Sequence, residues 1–269
     1  MIIKIFFIRR LFVLVLIFSA SLIMMGCQNS TSSEVSHNQL TSDEISQGWK
    51  LIFDGKTFDG WRGLGMESVQ QDHWRVEDGT IRKVNNTEVL VSTGGKDVDG
   101  GDLMTIKAYE NHELYFEWRI LSAGNSGLKY NVSEVLSQKY GGKHSALGFE
   151  YQMLDDIDTL YAGKLKESQY TGSLYDMIPA NDAQTKPVGE FNSSRILIDG
   201  NHVEHWLNGK KVVEYEFGSA LLDSLYIKSK YSKYPDFHLK KKAHIVLQNH
   251  TDDAWFRNIK IREIETKRN

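Results

Sequence analysis

The chain has 269 residues, of which 41% are hydrophobic and 25% are charged, and its formal net charge at pH 7 is −3. A slightly acidic chain without a long basic run offers no surface for nucleic acid. The densest positive stretch, HLKKKAH at 238–244, is predicted to be a solvated loop before the last strands rather than a polyanion site.

The N-terminal segment is predicted to be an export signal. Basic residues precede an apolar run and a small residue, in the order Lys4, Arg9 and Arg10, then residues 11–25, then Gly26. A membrane span takes about 20 apolar residues, so this run is short for one. The pattern therefore favours a signal peptide over a transmembrane helix.

The only cysteine of the sequence follows this signal. The stretch MMGC ends at Cys27 and is typical of a lipobox, which predicts a lipoprotein signal peptide over residues 1–26 and a lipid on Cys27. Residues 27–47 are predicted to form a flexible linker. The alternative for Cys27 is an incidental thiol at the end of an uncleaved anchor. Both alternatives place the domain in the cell envelope, facing the periplasm or on the outer surface.

Residues 48–269 are predicted to form one domain. No linker rich in proline or serine interrupts this length, and the segment has no internal repeat of fixed period. A single cysteine leaves no internal disulfide, so packing alone must stabilise the domain.

Strands are expected to dominate this domain, since apolar residues recur with a period of two in most of its segments. Turns that carry glycine, such as LNGK, predict hairpins. The predicted strands lie, in chain order, within 113–120, 126–132, 148–156, 194–216, 243–250 and 254–264. The short turn TDD is predicted to join the last two strands as a hairpin. Two short helices are expected at 133–140, with Ser133 as the N-cap, and at 218–231.

The strand content predicts an all-β fold. An exported chain of this length, with six Trp and twelve Tyr, is expected to form a two-sheet antiparallel jelly-roll sandwich with few short helices. Such folds often bind a ligand on the concave face of one sheet.

Seven stretches, taken in order, make the sequence similar to a known family. They are GWKLIFDGKTFDGWRG (48–63), NSGLKY (125–130), GFEYQMLDD (148–156), TGSLYDMI (171–178), VEHWLNGKKVVEYE (203–216), IVLQNH (245–250) and FRNIKIREI (256–264). Together they resemble the 3-keto-disaccharide hydrolase domain family. The resemblance implies a concanavalin A-like jelly roll and an activity on glycosides whose C3 hydroxyl has been oxidised to a ketone. Members of the family include hydrolases, lyases and hydratases, so the outcome of the reaction stays open.

A ketone at C3 changes the chemistry of glycoside cleavage. It acidifies the C2 proton, and the aglycone on C1 then lies β to the carbanion. Loss of both is an elimination that needs no oxocarbenium ion, and water can afterwards add to the enone. Such a site needs a base near C2, an electrophile at the C3 oxygen, an acid for the leaving oxygen and contacts that hold the ring.

Polar faces of the strands and several loops supply candidates for these roles, and the family fold implies that they converge. The candidates for acid or base are Glu150, His250, His144 and Glu117. The candidates for substrate binding are Arg119, Asn125, Lys129, Gln152, Tyr175, Asp176, Gln248 and Trp61, the last by stacking on a sugar ring. Alternation with apolar residues places Glu150 and Gln152 on one polar face of their strand, and the family resemblance implies that this face is the floor of the sugar cleft.

Most of these candidates have a structural alternative. Glu117 and Arg119 could form cross-strand ion pairs on a solvent face. Glu150 could equally point outward into solvent. His250 could cap the last turn, and His144 could be a solvated loop histidine.

The sequence offers few candidate sites for a cofactor. Asp155, Asp156 and Asp158 could hold a hard cation through oxygen ligands, although their spacing lacks the full D-x-D-x-D-G loop. A divalent cation is therefore the one cofactor left open. The sequence has no dinucleotide fingerprint, so a separate sugar C3-oxidoreductase is expected to supply the substrate.

Three functions are compatible with these features. The first is a lipoprotein enzyme that cleaves 3-keto-glycosides. The second is a non-catalytic carbohydrate-binding lipoprotein, and the third is a conventional glycoside hydrolase with Glu117 and Glu150 as paired carboxylates. Ionisable groups on the expected site face favour an enzyme, since binding modules rely on aromatic platforms and amides.

Overall fold

A computed structural model of the protein describes residues 37–96 and 98–265. These residues form two antiparallel β-sheets that pack face to face around a common core. The prediction of an all-β, two-sheet sandwich of jelly-roll type is therefore confirmed. The predicted signal peptide and Cys27 lie outside the described residues. None of the helices between residues 37 and 265 has the length and apolarity needed to cross a bilayer.

The first sheet has eight strands. Its members are β1 (Lys50–Leu51), β3 (Trp74–Glu77), β4 (Thr80–Lys83), β6 (His112–Ile120), β9 (Asn192–Asp199), β10 (His202–Leu207), β11 (Lys210–Glu216) and β13 (Ala254–Glu263). Their order is β11-β10-β9-β6-β13-β4-β3, and β1 also pairs with β13.

The second sheet has five strands in the order β2-β5-β12-β7-β8. These strands are β2 (Trp61–Gly63), β5 (Leu103–Thr105), β7 (Asn125–Val132), β8 (Phe149–Leu154) and β12 (His244–Leu247). Since β12 lies in this sheet and β13 in the other, the turn between them crosses the sandwich. The predicted hairpin of the last two strands is therefore wrong, because alternation within each strand does not reveal its partner.

Four short α-helices lie in the connections between strands. They are α1 (Ser42–Ser46), α2 (Asn86–Ser92), α3 (Glu134–Tyr140) and α4 (Ala220–Lys228), and a 3₁₀ helix spans Glu167–Gln169. The predicted cap of α3 is confirmed, since Ser133 Oγ accepts a hydrogen bond from Leu136 N at 3.3 Å.

The alternating strands bury one face each in the core. From β6, Leu114, Phe116 and Trp118 enter the core, and from β8, Phe149 and Tyr151 approach it from the other side. The ring centroids of Phe116 and Tyr151 lie 5.6 Å apart, edge to face, and so join the two sheets. The residues between them in each strand must therefore point away from the core, toward the outer face of their own sheet.

Residues 37–47, which the sequence assigns to the linker, are held against the eight-stranded sheet. Asn38 N donates to Asn258 Oδ1 at 2.5 Å, and Asn258 N donates in return to Asn38 Oδ1 at 2.8 Å. In α1, Glu44 forms an ion pair with Lys260. This part of the segment is therefore packed on the domain.

Candidate active site

The candidate site lies on the outer face of the five-stranded sheet. Glu150 and Gln152 alternate in β8 with core residues and point to this face. They are only 5% and 3% exposed, because loops cover the face. The polar face of β8 is therefore an enclosed polar cluster and not a solvent-facing surface.

Glu150 is surrounded by groups from the neighbouring strands. Its partner in the β7–β8 register is Lys129, and the side chain of Gln248 bonds to its carboxylate. In the amide orientation that satisfies its polar atoms, Gln152 donates to Glu150 Oε1 at 3.2 Å. A Cβ atom at Gly127 would lie 2.8 Å from Glu150 Oε1, so the carboxylate needs glycine at that position.

The ionisation of Glu150 follows from this enclosure. Burial raises the pKa of its carboxyl above the ordinary value of 4.5, and the positive charges of Lys129 and Lys230 offset only part of that increase. A carboxylate with a raised pKa is a stronger base than an exposed one, and groups of this kind are common at catalytic sites.

A buried ion pair supports the floor of the site. Lys129 Nζ lies 3.0 Å from Asp102 Oδ2, and the two side chains are 7% and 5% exposed. Asp102 also accepts hydrogen bonds from Ala146 N at 2.8 Å and from Asn249 N at 2.7 Å. Burial alone would lower the pKa of Lys129, but the carboxylates of Asp102 and Glu150 outweigh it and raise that pKa. Lys129 therefore stays positively charged.

One wall of the site comes from the loop after β8. Tyr175 N donates to Glu150 O at 3.0 Å, which ties this loop to the strand. Asp176, in the left-handed region at φ 60°, accepts from Lys230 N at 2.8 Å and pairs with Lys166 Nζ at 2.9 Å. The Lys230 ammonium lies 4.1 Å from the centroid of the Tyr175 ring. The predicted residues Tyr175 and Asp176 are thus beside the cluster.

Three further predicted residues lie at the margins of the cluster. His250 follows β12. Burial lowers its pKa, and the positive charges of Lys83 and Lys129 lower it further, against the opposing effect of Asp252. His144 Nδ1 donates to Leu64 O at 2.9 Å, and His144 O accepts from Asp102 N at 3.0 Å. His144 therefore fixes the backbone at Asp102, the carboxylate partner of Lys129. Asn125 begins β7 and bonds to the side chain of Tyr161.

Glu117 and Arg119 do not join this group. They point outward from β6 in the eight-stranded sheet, on the opposite side of the sandwich from Glu150. Glu117 Oε2 accepts from Arg257 Nε at 2.7 Å, across from it in β13, and the guanidinium of Arg119 stacks 4.4 Å from the centroid of Trp255. The alternative of a cross-strand ion pair therefore describes Glu117 in the structure.

Trp61 is not available for stacking on a sugar. Its side chain is 4% exposed and belongs to the core, and its Nε1 donates to Ile52 O at 2.5 Å. The sequence shows an aromatic residue beside a turn, but it does not show that β2 turns this ring inward.

The aspartates considered for a cation are engaged by backbone amides. Asp155 Oδ2 accepts from Ala123 N at 3.0 Å. Asp156 Oδ1 accepts from Thr171 N at 3.0 Å, and Asp158 Oδ1 from Leu160 N at 2.8 Å. These carboxylates therefore stabilise loops, and no shared cation position is formed among them.

A different cluster of possible metal ligands lies on the eight-stranded sheet. Among residues 37–96 and 98–265, one group offers three such atoms within 4.8 Å of one another, and it consists of His202, Glu204 and Glu214. The ammonium of Lys211 lies 3.1 Å from Glu204 Oε1, so a cation of the protein already neutralises this cluster.

Three contributors to the site were missed in the sequence. Asp102, Lys230 and Tyr231 come from connections between elements, where no hydrophobic period marks the direction of a side chain. The helix predicted at 218–231 ends at Lys228 in the structure. The signal that was present is the concentration of Lys and Tyr in the stretch KSKYSKY (228–234), which overlaps the end of that predicted helix.

Comparisons with known proteins agree in family and fold. The 3-keto-alpha-glucoside-1,2-lyase-like domain matches residues 48–262. A 3-keto-disaccharide hydrolase from Bacteroides thetaiotaomicron is 37% identical over 252 residues, which cover 87% of this chain and 84% of that protein. A solved structure of a candidate glycosyl hydrolase from Parabacteroides distasonis is 32% identical, with a TM-score of 0.72, and covers 86% of this chain and 100% of that one. A second from the same organism is 27% identical with a TM-score of 0.59, and covers 80% and 99% of the two chains.

The buried ion pair gives a testable prediction about stability. We expect Lys129→Met to lower the free energy of unfolding by about 3–5 kcal/mol, because it leaves the Asp102 carboxylate buried without its cation. Urea unfolding followed by circular dichroism measures the change. Adding Asp102→Asn to Lys129→Met should recover part of the loss. The control is Lys143→Met, whose partner Asp99 is exposed, and an equal loss in that variant would contradict the prediction.

Proposed function

The chain belongs to the 3-keto-alpha-glucoside-1,2-lyase-like domain family, and on that premise we propose that it cleaves glycosides that carry a ketone at C3. The observation that carries the proposal is the pairing of a buried carboxylate of raised pKa, Glu150, with a buried lysine that stays charged, Lys129. These two groups supply a base and an electrophile, which are the first requirements of elimination next to a ketone.

Glu150 is the proposed base. Its carboxylate takes the C2 proton of the sugar, and the electron pair of the C2–H bond is delocalised into the C3 carbonyl as an enolate. Collapse of the enolate forms the C1–C2 double bond, and the C1–O bond breaks with its electron pair on the aglycone oxygen. Water added to the resulting enone would give the hydrolysis product, so a lyase and a hydrolase share this first step.

Lys129 is the proposed electrophile. A fixed positive charge beside the enolate oxygen stabilises the transition state most where water is excluded, as it is on this covered face. Gln152 and Gln248 are neutral amides on either side of the carboxylate. Their proposed role is to bind ring hydroxyls, since an amide can both donate and accept a hydrogen bond.

The substrate must come from another reaction. Cleavage by this route starts from a ketone, so a dehydrogenation at C3 has to precede it, and the sequence has no dinucleotide fingerprint for that step. We therefore propose that a separate sugar C3-oxidoreductase supplies the substrate.

We also propose that the enzyme is anchored in the cell envelope by a lipid on Cys27, in agreement with the lipobox-like stretch MMGC. Cells that express the full chain and are fed labelled palmitate should incorporate the label into this protein. Cys27→Ser should abolish the labelling and shift the protein from the membrane fraction to the soluble fraction. Equal labelling of the variant would contradict the proposal.

The reaction itself can be tested with a matched pair of substrates. The domain should release the aglycone from a 3-keto-glucoside and not from the unoxidised glucoside. Glu150→Gln should reduce this release by at least about 100-fold, the lower range for loss of a general base. The control variant is Glu214→Gln, which changes an exposed carboxylate of β11.

Other outcomes of this assay point to other functions. Release from the unoxidised glucoside alone would indicate a conventional glycosidase, and binding of both compounds without release would indicate a carbohydrate-binding module. A parallel reaction with EDTA tests for a divalent cation, because a metal-dependent reaction would stop and would resume when the metal is restored.

The raised pKa of Glu150 also predicts how stability depends on pH. A carboxyl whose pKa is higher in the folded protein stabilises the fold while it is protonated, and this contribution is lost as the pH rises through the folded pKa. Glutamine mimics the protonated form. We therefore expect Glu150→Gln to have a higher Tm than the wild type at neutral pH, and this advantage should disappear below about pH 4, where Glu150 is protonated in both states. A Tm difference independent of pH would contradict this assignment.

A further inference from the structure

Lys230 is held in a fixed position next to the candidate site. It follows α4, and its backbone N donates to Asp176 Oδ2 at 2.8 Å. Its ammonium lies 4.1 Å from the ring centroid of Tyr175 and 5.0 Å from that of Tyr231. A hydrogen bond thus fixes the main chain of this lysine, and two aromatic rings orient its side chain.

Lys230 differs from the other lysines around the cluster in having hydrogen-bond donors to spare. Lys129 is paired with Asp102 at 3.0 Å, and Lys166 is paired with Asp176 at 2.9 Å. Among the described residues, no carboxylate forms an ion pair with the ammonium of Lys230 and no acceptor bonds to it; the ammonium contacts the two aromatic rings. The residue as a whole is exposed to solvent.

The two lysines also differ in their tendency to release a proton. Although the residue as a whole is exposed, partial desolvation of its ammonium lowers the pKa of Lys230; the charges of Glu150 and Asp176 oppose this effect, and those of Lys129 and Lys233 add to it. The pKa of Lys129 is raised instead. When neighbouring groups have pKa values that are pushed apart, the group that holds its proton more weakly is the better acid, and the other serves as a fixed charge.

Elimination from a 3-keto-glycoside requires such an acid. The electron pair of the C1–O bond stays on the aglycone oxygen, and when the aglycone is a sugar the resulting alkoxide is a poor leaving group. Proton transfer to that oxygen during bond cleavage accelerates the step. Glu150 cannot give this proton at the start, because it must be ionised to act as the base.

We propose that Lys230 is the general acid that protonates the leaving glycosidic oxygen, an inference that rests on the function proposed above. As Glu150 takes the C2 proton, the C1–C2 double bond forms and the C1–O bond breaks, and one proton passes from the ammonium of Lys230 to the aglycone oxygen. The products are the free aglycone alcohol, the enone, a protonated Glu150 and a neutral Lys230. Proton exchange with water restores both side chains.

The test compares two substrates that differ only in the leaving group. One is a 3-keto-disaccharide, whose sugar aglycone needs a proton, and the other is p-nitrophenyl 3-keto-glucoside, whose nitrophenolate leaves without one. Lys230→Met should lower kcat/KM for the disaccharide by about 100-fold or more and for the nitrophenyl substrate by less than about 5-fold. Lys230→Arg keeps the charge and the ring contact but cannot release a proton, so it should lose the same activity.

The matched control is Lys139→Met, which removes a cation that likewise lies over an aromatic ring, 4.9 Å from the centroid of Tyr140 in α3. It should leave both substrates unaffected, and Tm values should show that all variants are folded. An equal loss on both substrates, no loss on either, or full recovery in Lys230→Arg would overturn the role of Lys230 and leave the proposed function intact. If the wild type cleaves neither 3-keto substrate, the proposed function itself fails.

Discussion

The positive charge of Lys129 is shared by two buried carboxylates, and the candidate site depends on this arrangement. Asp102 lies 3.0 Å from the ammonium and receives two backbone N–H groups as well, so it is fully satisfied as an anion. Glu150 faces the same lysine across the β7–β8 register, and the charge of Lys230 also lowers its pKa. One charge cannot compensate two buried carboxylates equally. The incomplete compensation falls on Glu150, whose pKa is raised, and this supports its proposed role as the base.

The same ion pair connects the site to the loops that cover it. Through its carboxylate, Asp102 binds the backbone at Ala146, before β8, and at Asn249, after β12. Its own backbone N donates to His144 O at 3.0 Å. The connections before β5, before β8 and after β12 are therefore all attached to one charged pair on the sheet. The same ion pair thus holds the loops that exclude water from Glu150 and supplies a charge that changes the pKa of Glu150. The electrostatics and the enclosure of the site therefore cannot be altered independently.

The sequence predicted the strands and the direction of their side chains better than it predicted which strands pair within a sheet. Alternation identified the inward residues of β6 and β8 correctly, and it placed Glu150, Gln152 and Lys129 on polar faces that do converge. The same alternation could not assign strands to sheets, which is why Glu117, on an equally polar face, was grouped with residues from the other side of the sandwich. Asp102 and Lys230 were missed for a different reason. They lie in irregular connections, where the direction of a side chain depends on tertiary contacts such as the hydrogen bond between Asp176 and the backbone of Lys230.

The location of the acidic and basic groups suggests how specificity is divided in this site. Glu150 and Lys129 are on adjacent strands of one sheet, where register fixes their separation and every substrate must meet the same geometry. Lys230 and Tyr175 are on two connections that are joined to each other by Asp176, a residue in a left-handed conformation that few side chains adopt. Loops tolerate substitution better than sheets. Under the proposed mechanism, a change in this wall would therefore alter the contacts made with the leaving group while the proposed base and electrophile on the sheet remained in place, and the same fold would then accept substrates with different aglycones.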